Sequence, residues 1–288
     1  MGDPVIRTHV ASDGYRWQYR HYDPPGPPRG RVVCVHGIQS HGGWYDHSCR
    51  RLAGAGFAVS FLDRRGAGLN EQDRGDAPSF RRLIDDIAEF LQSQAQGLQP
   101  VFLVAISWGG KLAAALQRRH PGLVDGLALL CPGFRARVRP PFRDRLGIVW
   151  AYLTARRKLF PVPLNDPELF TASPQWQQFI RDDPLAVRQA TARFLAHSAR
   201  LDGYLRFVPV HVTVPVLLLL AGQDRIIDNA RTRRFVESFT APDKTIIEYP
   251  EAHHTLEFEP RPHRYLDDLI GWLERQVITV SSRNMRTG

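Results

Sequence analysis

Short apolar runs alternate with amphipathic segments along most of the chain, and each run has the length of a buried β-strand. The main runs lie at 31–37, 57–63, 100–106, 124–131 and 215–222. Between two of them, one helical face collects Leu83, Ile84, Ile87, Phe90 and Leu91. Strands that alternate with helices in this way predict an α/β fold, in which a mostly parallel sheet is covered by helices on both faces.

The alternation is interrupted once, over residues 133–209, where Pro, Arg and aromatic residues dominate. We therefore predict a core from 1–132 and 210–280, an insertion over 133–209 and a flexible tail at 281–288. Inside the insertion, RLGIVWAYLTARRK is typical of an amphipathic helix. Asp183 followed by Pro184 predicts the start of another helix, whose apolar stripe would consist of Val187, Phe194, Leu201 and Leu205.

Composition excludes several classes of protein. No run of eighteen apolar residues is present, and MGDPVIRTHV at the start lacks the apolar segment of a signal peptide. Three widely spaced cysteines do not suggest a disulfide framework. The net charge of +9 comes with no zinc-ligand spacing and no RNA-binding signature, so we expect no nucleic-acid partner. We expect a cytoplasmic protein, whose oligomeric state the sequence leaves open.

The stretch FLVAISWGGKL, residues 102–112, passes from an apolar strand directly into a small-residue helix, with Ser107 at the junction. A serine at such a bend projects its hydroxyl from the carboxyl edge of the sheet, and the following helix directs backbone N–H groups toward developing negative charge. The glycines at 109 and 110 leave room for the bend. A phosphate loop does not fit, because Leu112 follows Lys111 where Ser or Thr is required. Ser107 is thus a candidate nucleophile.

A serine nucleophile needs a base and a carboxylate that orients the base. Asp224 follows the apolar run 215–222, and His254 lies in the loop after the next strand-like segment, KTIIEY. Their chain order, serine then aspartate then histidine, is the one used by this kind of architecture. Asp228 has the position of a helix N-cap, whereas spacing alone does not separate His253 from His254.

Four segments together resemble the α/β-hydrolase superfamily, in its monoacylglycerol lipase and lysophospholipase-like branch. They are HGIQSHGGWY, DRRGAG, AISWGG and the pair GQDRIID with EAHH. The resemblance implies an α/β-hydrolase fold, with a mostly parallel central sheet, helices on both faces and a helical cap formed by the insertion. It also implies a triad of Ser107, Asp224 and His254. The backbone N–H groups of Ile38 and Trp108 would form the oxyanion hole, with His36 and Asp63 as scaffold residues.

The same resemblance implies a serine carboxylic-ester hydrolase that acts through an acyl-enzyme on single-chain lipid esters and needs no cofactor or metal. The triad is equally compatible with thioester cleavage, carbon–carbon bond hydrolysis or perhydrolysis, and the fold can also serve as a non-catalytic receptor for a small ligand. The basic clusters RARVRPPFRDR and ARRK in the cap are either solvated surface or a contact with anionic lipid. In the second case the protein would be peripheral to a membrane.

Overall fold

A single eight-stranded sheet organises the protein, whose computed structural model describes residues 3–94, 99–260 and 263–287. The strand order is β1-β2-β4-β3-β5-β6-β9-β10. The strands are β1 Val5–Val10, β2 Arg16–Tyr22, β3 Gly30–Val35, β4 Phe57–Leu62, β5 Val101–Ile106, β6 Gly126–Leu130, β9 Val216–Ala221 and β10 Lys244–Tyr249. A separate antiparallel pair consists of β7 Leu159–Pro161 and β8 Gln189–Thr191.

The sheet is antiparallel only at one end, where β1 pairs with β2 and β2 pairs with β4. All pairings from β4 to β10 are parallel. Every residue of β5, β6 and β9 is buried, which is expected when a parallel sheet is covered on both faces. The sequence segments VIRTHVA and YRWQYRH, joined by SDG, predict an opening antiparallel pair of strands. This pair and the predicted mostly parallel sheet are both confirmed.

Helices cover the two faces because parallel crossovers are right-handed. The helices are α1 Asp46–Gly54, α2 Phe80–Gln94, α3 Trp108–Arg119, α4 Phe142–Thr154, α5 Pro174–Asp182, α6 Ala192–Leu205, α7 Asn229–Glu237 and α8 His263–Thr287. The crossover through α1 runs in one direction along the sheet, and the crossovers through α2 and α3 run in the other. Helix α1 therefore lies on one face of the sheet, and α2 and α3 lie on the opposite face. In agreement, α1 packs on α8, whereas α2 packs on α3.

The direction of winding reverses between β3 and β5, which are hydrogen-bonded neighbours. From β3 the chain crosses to β4 on one side, and from β5 it crosses to β6 on the other. The loops that follow β3 and β5 therefore diverge and leave a crevice at the carboxyl edge. Ligands of open α/β sheets bind at this kind of crevice.

The insertion between β6 and β9 contains α4, α5, α6 and the β7–β8 pair, and it contributes no strand to the main sheet. The division into a core and a cap at 133–209 remains a prediction. The helix expected from Pro184 instead begins at Ala192, with the Thr191 side chain accepting from the Phe194 N–H. Asp183 is not its N-cap: its Oδ2 accepts from the Trp44 indole and from His41, and its Oδ1 accepts from the Leu185 N–H in a turn that does not continue as a helix.

Helix α4 differs from the predicted amphipathic helix in where its apolar residues lie. Only two of its side chains are buried, those of Ile148 and Ala151. The exposed apolar side chains are those of Phe142, Leu146, Val149, Trp150 and Leu153, each between 56% and 69% exposed. Their spacing of three and four residues places them on one outward face.

At the carboxyl end, α8 continues to Thr287, where the sequence predicted a flexible tail over 281–288. The helix is consistent with the local sequence, because no proline or glycine lies between Trp272 and Thr287 to end it. Gly288 lies outside the described residues.

Candidate active site

Ser107 lies at a sharp bend between the last residue of β5 and the first residue of α3. Its φ of 51° and ψ of −123° are values that a residue with a side chain rarely adopts. The bend brings Ser107 close to the loop after β3: a Cβ at Gly37 would lie 3.2 Å from the Ser107 Cβ. Gly109 must also lack a side chain, since a Cβ there would lie 2.5 Å from the His36 carbonyl oxygen. Packing against β3 thus stabilises the strained backbone.

The structure brings the three predicted triad residues together. The Ser107 Oγ lies 2.8 Å from the His254 Nε2, and the His254 Nδ1 lies 2.7 Å from the Asp224 Oδ2. An ionised carboxylate only accepts hydrogen bonds, so the proton of the neutral imidazole is on Nδ1. Nε2 is then the acceptor for the serine hydroxyl. Oγ, the imidazole and the carboxylate form one continuous hydrogen-bonded chain.

Asp224 is held in a fixed orientation by the turn that follows β9. Its Oδ1 accepts from the N–H groups of Ile226 and Ile227, at 2.8 and 3.0 Å, which leaves Oδ2 directed at His254. Asp228, the other candidate carboxylate, caps α7 by accepting from the Arg231 N–H at 2.9 Å. The sequence interpretation of Asp228 as a helix cap agrees with this contact.

His254 is buried in the loop after β10, where it lies edge-on to the Phe170 ring. The neighbouring His253 takes a different partner, because both its N–H and its Nδ1 contact Glu259, at 2.8 and 3.1 Å. The ambiguity that the sequence left between the two histidines is therefore resolved by geometry: the histidine that contacts Ser107 is His254.

The sequence predicted that the backbone N–H groups of Ile38 and Trp108 form an oxyanion hole beside Ser107. Trp108 is the first residue of α3, so its N–H has no acceptor within that helix. Ile38 belongs to the loop that contacts Ser107 through Gly37. A hydrogen bond from the Gly37 N–H to the Ser40 Oγ, 3.1 Å long, shapes this loop. The assignment of Ile38 and Trp108 to an oxyanion hole remains a prediction.

His36 stabilises the same loop through hydrogen bonds at both of its ring nitrogens. Its Nδ1 donates to the Gly37 carbonyl at 2.8 Å, and its Nε2 accepts from the Arg64 N–H at 3.1 Å. Burial, followed by the nearby charge of Arg64, lowers the pKa of His36 well below its ordinary value. The ring is therefore neutral, and both ring nitrogens are occupied by backbone groups.

Asp63 stabilises the turn after β4. Its carboxylate is fully buried and accepts from the Arg20 guanidinium at 2.7 Å, from the Gly42 N–H at 2.7 Å and from the Leu69 N–H at 2.9 Å. Both oxygens are thus used within the scaffold. These contacts are those expected of a scaffold residue.

The first residue of α3 also contacts the insertion. The Trp108 indole Nε1 donates to the Ser198 Oγ at 2.8 Å, and its ring packs against Phe194 at a centroid distance of 5.3 Å. Ser198 and Phe194 both belong to α6. Helix α6 therefore lies against the serine bend.

Sequence reasoning missed Arg64, which immediately follows Asp63. Its guanidinium is buried and lies 5.3 Å from the ring centroids of both Trp108 and Phe194. An arginine after a strand is ordinarily exposed, and nothing in the sequence pattern indicates that this one is buried.

Among the described residues, one group has ligand atoms close enough to hold a metal ion: Cys131, Asp224 and His254, within 4.8 Å of one another. Burial raises the pKa of the Cys131 thiol well above its ordinary value, so the thiol stays protonated and is a weak ligand. A metal here would also break the hydrogen bond between His254 and Asp224. The expectation that no metal or cofactor is needed remains a prediction.

Comparison with known proteins identifies the family. A family model described as "Serine aminopeptidase, S33" matches residues 26–261. The chain belongs to this family. It is an α/β-hydrolase of the monoacylglycerol lipase and lysophospholipase-like branch.

Three similar proteins illustrate the relationship. A monoacylglycerol lipase of Mycolicibacterium smegmatis is 27% identical over 270 residues, covering 90% of this chain and 93% of that protein. Lysophospholipase L2 of Escherichia coli is 28% identical over 273 residues, covering 85% and 78%. The crystal structure of Paleococcus ferrophilus monoacylglycerol lipase superposes with a TM-score of 0.78 at 25% identity, covering 90% and 98%. The predicted family and fold class are confirmed.

Proposed function

We propose that this α/β-hydrolase cleaves carboxylic esters with Ser107 as nucleophile, His254 as general base and Asp224 as the orienting carboxylate. The observation that carries the proposal is the unbroken chain of hydrogen bonds from Ser107 Oγ through His254 to Asp224, with distances of 2.8 and 2.7 Å. A free serine hydroxyl is a poor nucleophile at neutral pH, and this arrangement supplies the base that it needs.

The proposed reaction has two steps. His254 accepts the Ser107 proton as Oγ attacks the ester carbonyl, and it returns that proton to the leaving alcohol, which leaves an acyl-enzyme. Water, deprotonated by the same imidazole, then attacks the acyl carbonyl, and the imidazole returns the proton to Ser107 Oγ as the acid leaves. The N–H groups of Ile38 and Trp108 would stabilise the oxyanion, each by roughly 3 kcal/mol in the transition state. Asp224 stabilises the imidazolium that forms in both steps.

We propose single-chain lipid esters, such as monoacylglycerols and lysophospholipids, as the substrates. Two facts support this choice. Similar proteins include a monoacylglycerol lipase and a lysophospholipase, and the apolar side chain of Phe194 on α6 packs against Trp108, next to Ser107. An acyl chain bound under such a cover gains about 0.8 kcal/mol for each buried methylene.

We further propose that the protein is cytoplasmic and contacts anionic membranes through the outward face of α4. A contiguous row of exposed large apolar side chains runs from Phe142 to Leu153. Exposed basic side chains lie beside this row, namely Arg143, Arg145, Arg156, Arg157 and Lys158. Apolar residues flanked by basic ones match an anionic lipid surface, to which each basic residue adds about 1 kcal/mol. Among the helices of the described residues, none combines the length and apolarity needed to span a bilayer.

Labelling with a fluorophosphonate probe tests the catalytic proposal. The probe is expected to modify Ser107 covalently, with no labelling of Ser107→Ala. Esters of graded acyl length should be hydrolysed by the unlabelled wild type, and neither by the probe-treated protein nor by Ser107→Ala. A protein that binds the ester without turnover and stays unlabelled would be a receptor. If the probe labels Ser107 but the protein preferentially cleaves amino-terminal peptide bonds, the proposed lipid-ester substrate would be wrong and the substrate would be a peptide.

Vesicle sedimentation tests the membrane proposal. We expect binding to phosphatidylcholine vesicles that contain phosphatidylglycerol and much weaker binding to phosphatidylcholine alone. Trp150→Ser combined with Leu153→Ser should abolish binding. The matched control, Val210→Ser with Ile278→Ser, alters two apolar side chains that are 69% and 64% exposed elsewhere, and should bind as the wild type does. Equal binding to both vesicle types, or concentration-dependent dimerisation through α4, would reject the proposal.

A further inference from the structure

The Arg64 guanidinium is a buried cation whose hydrogen-bonding capacity is only partly used. Its Nη2 contacts the carbonyl oxygens of Gly37, at 3.4 Å, and of Ile38. The Nε and Nη1 groups are buried and have no hydrogen-bond partner among the described residues. Buried polar groups of this kind ordinarily have partners, and leaving a charged donor without one is costly.

No carboxylate among the described residues forms a salt bridge with this cation, although the charge of Asp63 lies close enough to favour it. The nearest candidate in sequence, Asp63, already binds Arg20 and two backbone N–H groups. The other neighbours of the guanidinium are the rings of Trp108 and Phe194, which stabilise a cation only modestly. Burial lowers the pKa of Arg64 to about 9, so the group remains charged at neutral pH.

Gln39, on the loop that Arg64 contacts, shows the same pattern. Its side chain is 1% exposed, and neither its Nε2 nor its Oε1 has a partner among the described residues. Its backbone carbonyl is used, since it accepts from the Val187 N–H at 2.9 Å. Gln39 directly follows Ile38, whose carbonyl binds Arg64. Buried donors without a partner therefore occur on Gln39, which belongs to the loop after β3, and on Arg64, which contacts that loop.

These groups are close to the nucleophile. The Gly37 carbonyl contacts Arg64, and a Cβ at Gly37 would lie 3.6 Å from the Ser107 Oγ. Gly37 thus contacts the guanidinium through its carbonyl group and lies next to Ser107 through its Cα. Trp108, which carries one of the proposed oxyanion donors, lies directly beside the guanidinium. A charged group of a substrate bound at Ser107 would be within reach of Arg64.

We propose that Arg64, assisted by the Gln39 amide, forms a subsite for a negatively charged group on the substrate, so that the protein prefers anionic esters to neutral ones. This inference rests on the proposed ester hydrolysis at Ser107 and specifies its substrate class. The shared ligand chemistry is a phosphate or carboxylate located near the ester. Guanidinium suits both groups, because its planar N–H donors match their oxygens.

Steady-state kinetics on paired esters provide the first test. The carboxylate pair is 4-nitrophenyl pentanoate and 4-nitrophenyl hemiglutarate, and the phosphate pair is lauroylglycerol and lauroylglycerol phosphate. We expect kcat/KM to be at least about 10-fold higher for the anionic member of one pair. The pair that shows the preference identifies the source of the charge. A preference for the neutral member in both pairs would overturn the inference.

Variants then assign the preference to Arg64. Arg64→Met should lower the anionic-to-neutral ratio of kcat/KM by roughly 10- to 100-fold, and Arg64→Lys should retain part of it. Gln39→Leu provides an independent variant if Arg64→Met does not fold, and it should lower the ratio as well. Arg234→Met removes an exposed arginine from α7 and should leave the ratio unchanged. An equal loss on both esters in Arg64→Met and Gln39→Leu would mean that Arg64 only fixes α6 to the serine bend.

A binding measurement separates this inference from the catalytic proposal. Ser107→Ala should bind dodecyl phosphate or dodecanoate at least about 10-fold more tightly than dodecanol, and Arg64→Met in that background should remove the difference. This result would support the subsite even if fluorophosphonate failed to label Ser107. Labelling of Ser107 without any preference for the anionic ligands would reject the subsite and leave ester hydrolysis in place.

Discussion

The indole of Trp108 donates a 2.8 Å hydrogen bond to the Ser198 hydroxyl and thereby joins the first residue of α3 to the middle of α6. The same tryptophan supplies, through its backbone, one of the two proposed oxyanion donors. Movement of α6 is therefore mechanically connected to the groups around Ser107. The position of α6 can therefore influence the position of the proposed oxyanion donor.

Removing this hydrogen bond should reduce activity without destroying the site. We expect Ser198→Ala to lower kcat/KM on short neutral esters a few-fold and to cost about 1 kcal/mol of stability, since a buried donor loses its partner. Ser198→Thr should restore most of both. A double-mutant cycle with Trp108→Phe measures the coupling, and strictly additive effects would show that the bond does not connect α6 to the site.

The two candidate carboxylates should respond very differently to the same substitution. Asp224→Asn is expected to lower kcat by roughly 10⁴-fold, because the amide favours the wrong imidazole tautomer. Asp228→Asn should retain nearly full activity and stability, because asparagine is also a good N-cap. Turnover and thermal unfolding of both variants provide the measurement. A large loss of activity in Asp228→Asn alone would make the present assignment of the acid wrong.

The strained backbone at Ser107 predicts that two inactive variants differ in stability. Glycine adopts a φ of 51° without steric cost, whereas alanine does not. We therefore expect Ser107→Gly to be more stable than Ser107→Ala by about 1 kcal/mol, the scale of strain for such a conformation. Chemical denaturation of the two inactive variants compares them directly. Equal stability would indicate that the bend relaxes when the hydroxyl is removed.

Asp183 predicts a pH-dependent contribution to stability. Burial alone would raise its pKa, but hydrogen bonds from His41 and Trp44 outweigh burial and hold the pKa below its ordinary value. A carboxylate with a lowered pKa binds fewer protons in the folded than in the unfolded chain, so its contribution is present above about pH 4 and is lost as the pH falls through the folded-state pKa.

Asp183→Asn should accordingly be less stable than the wild type by about 1.5 to 3 kcal/mol at pH 7, the scale of hydrogen bonds to a charged group. The difference should shrink steadily as the pH falls below about 4. Urea unfolding of both proteins across this range measures it. A difference that stays constant down to pH 2 would show that the charge of Asp183 is not involved.

The sequence predicted what depends on local pattern and on chain order. The buried strands, the opening antiparallel pair and the bend at Ser107 follow from apolar runs and small residues, and the order of Ser107, Asp224 and His254 limits the possible partners. His253 and His254 are neighbours in one loop, so only the fold of that loop decides which imidazole reaches Ser107 Oγ.

Tertiary contacts explain the remaining differences. Asp183 and Pro184 form a good helix-start signal, but the Trp44 indole and His41 hold the carboxylate, so the helix begins later. The apolar residues of α4 predict burial, yet most of them face outward. Arg64 would be expected in solvent, and only its contacts with the loop after β3 and with α6 bury it. Such contacts join residues far apart in sequence and leave no periodic signal.

The connection between β6 and β9 is far longer than two adjacent parallel strands require. A crossover needs only about a dozen residues, whereas this one runs from Cys131 to Pro215. The three side chains of the proposed triad follow β5, β9 and β10, so none of them belongs to the connecting segment. Evolution or protein engineering can therefore replace this segment without losing any of the three side chains, and each replacement would also change the contact that α6 makes with Trp108.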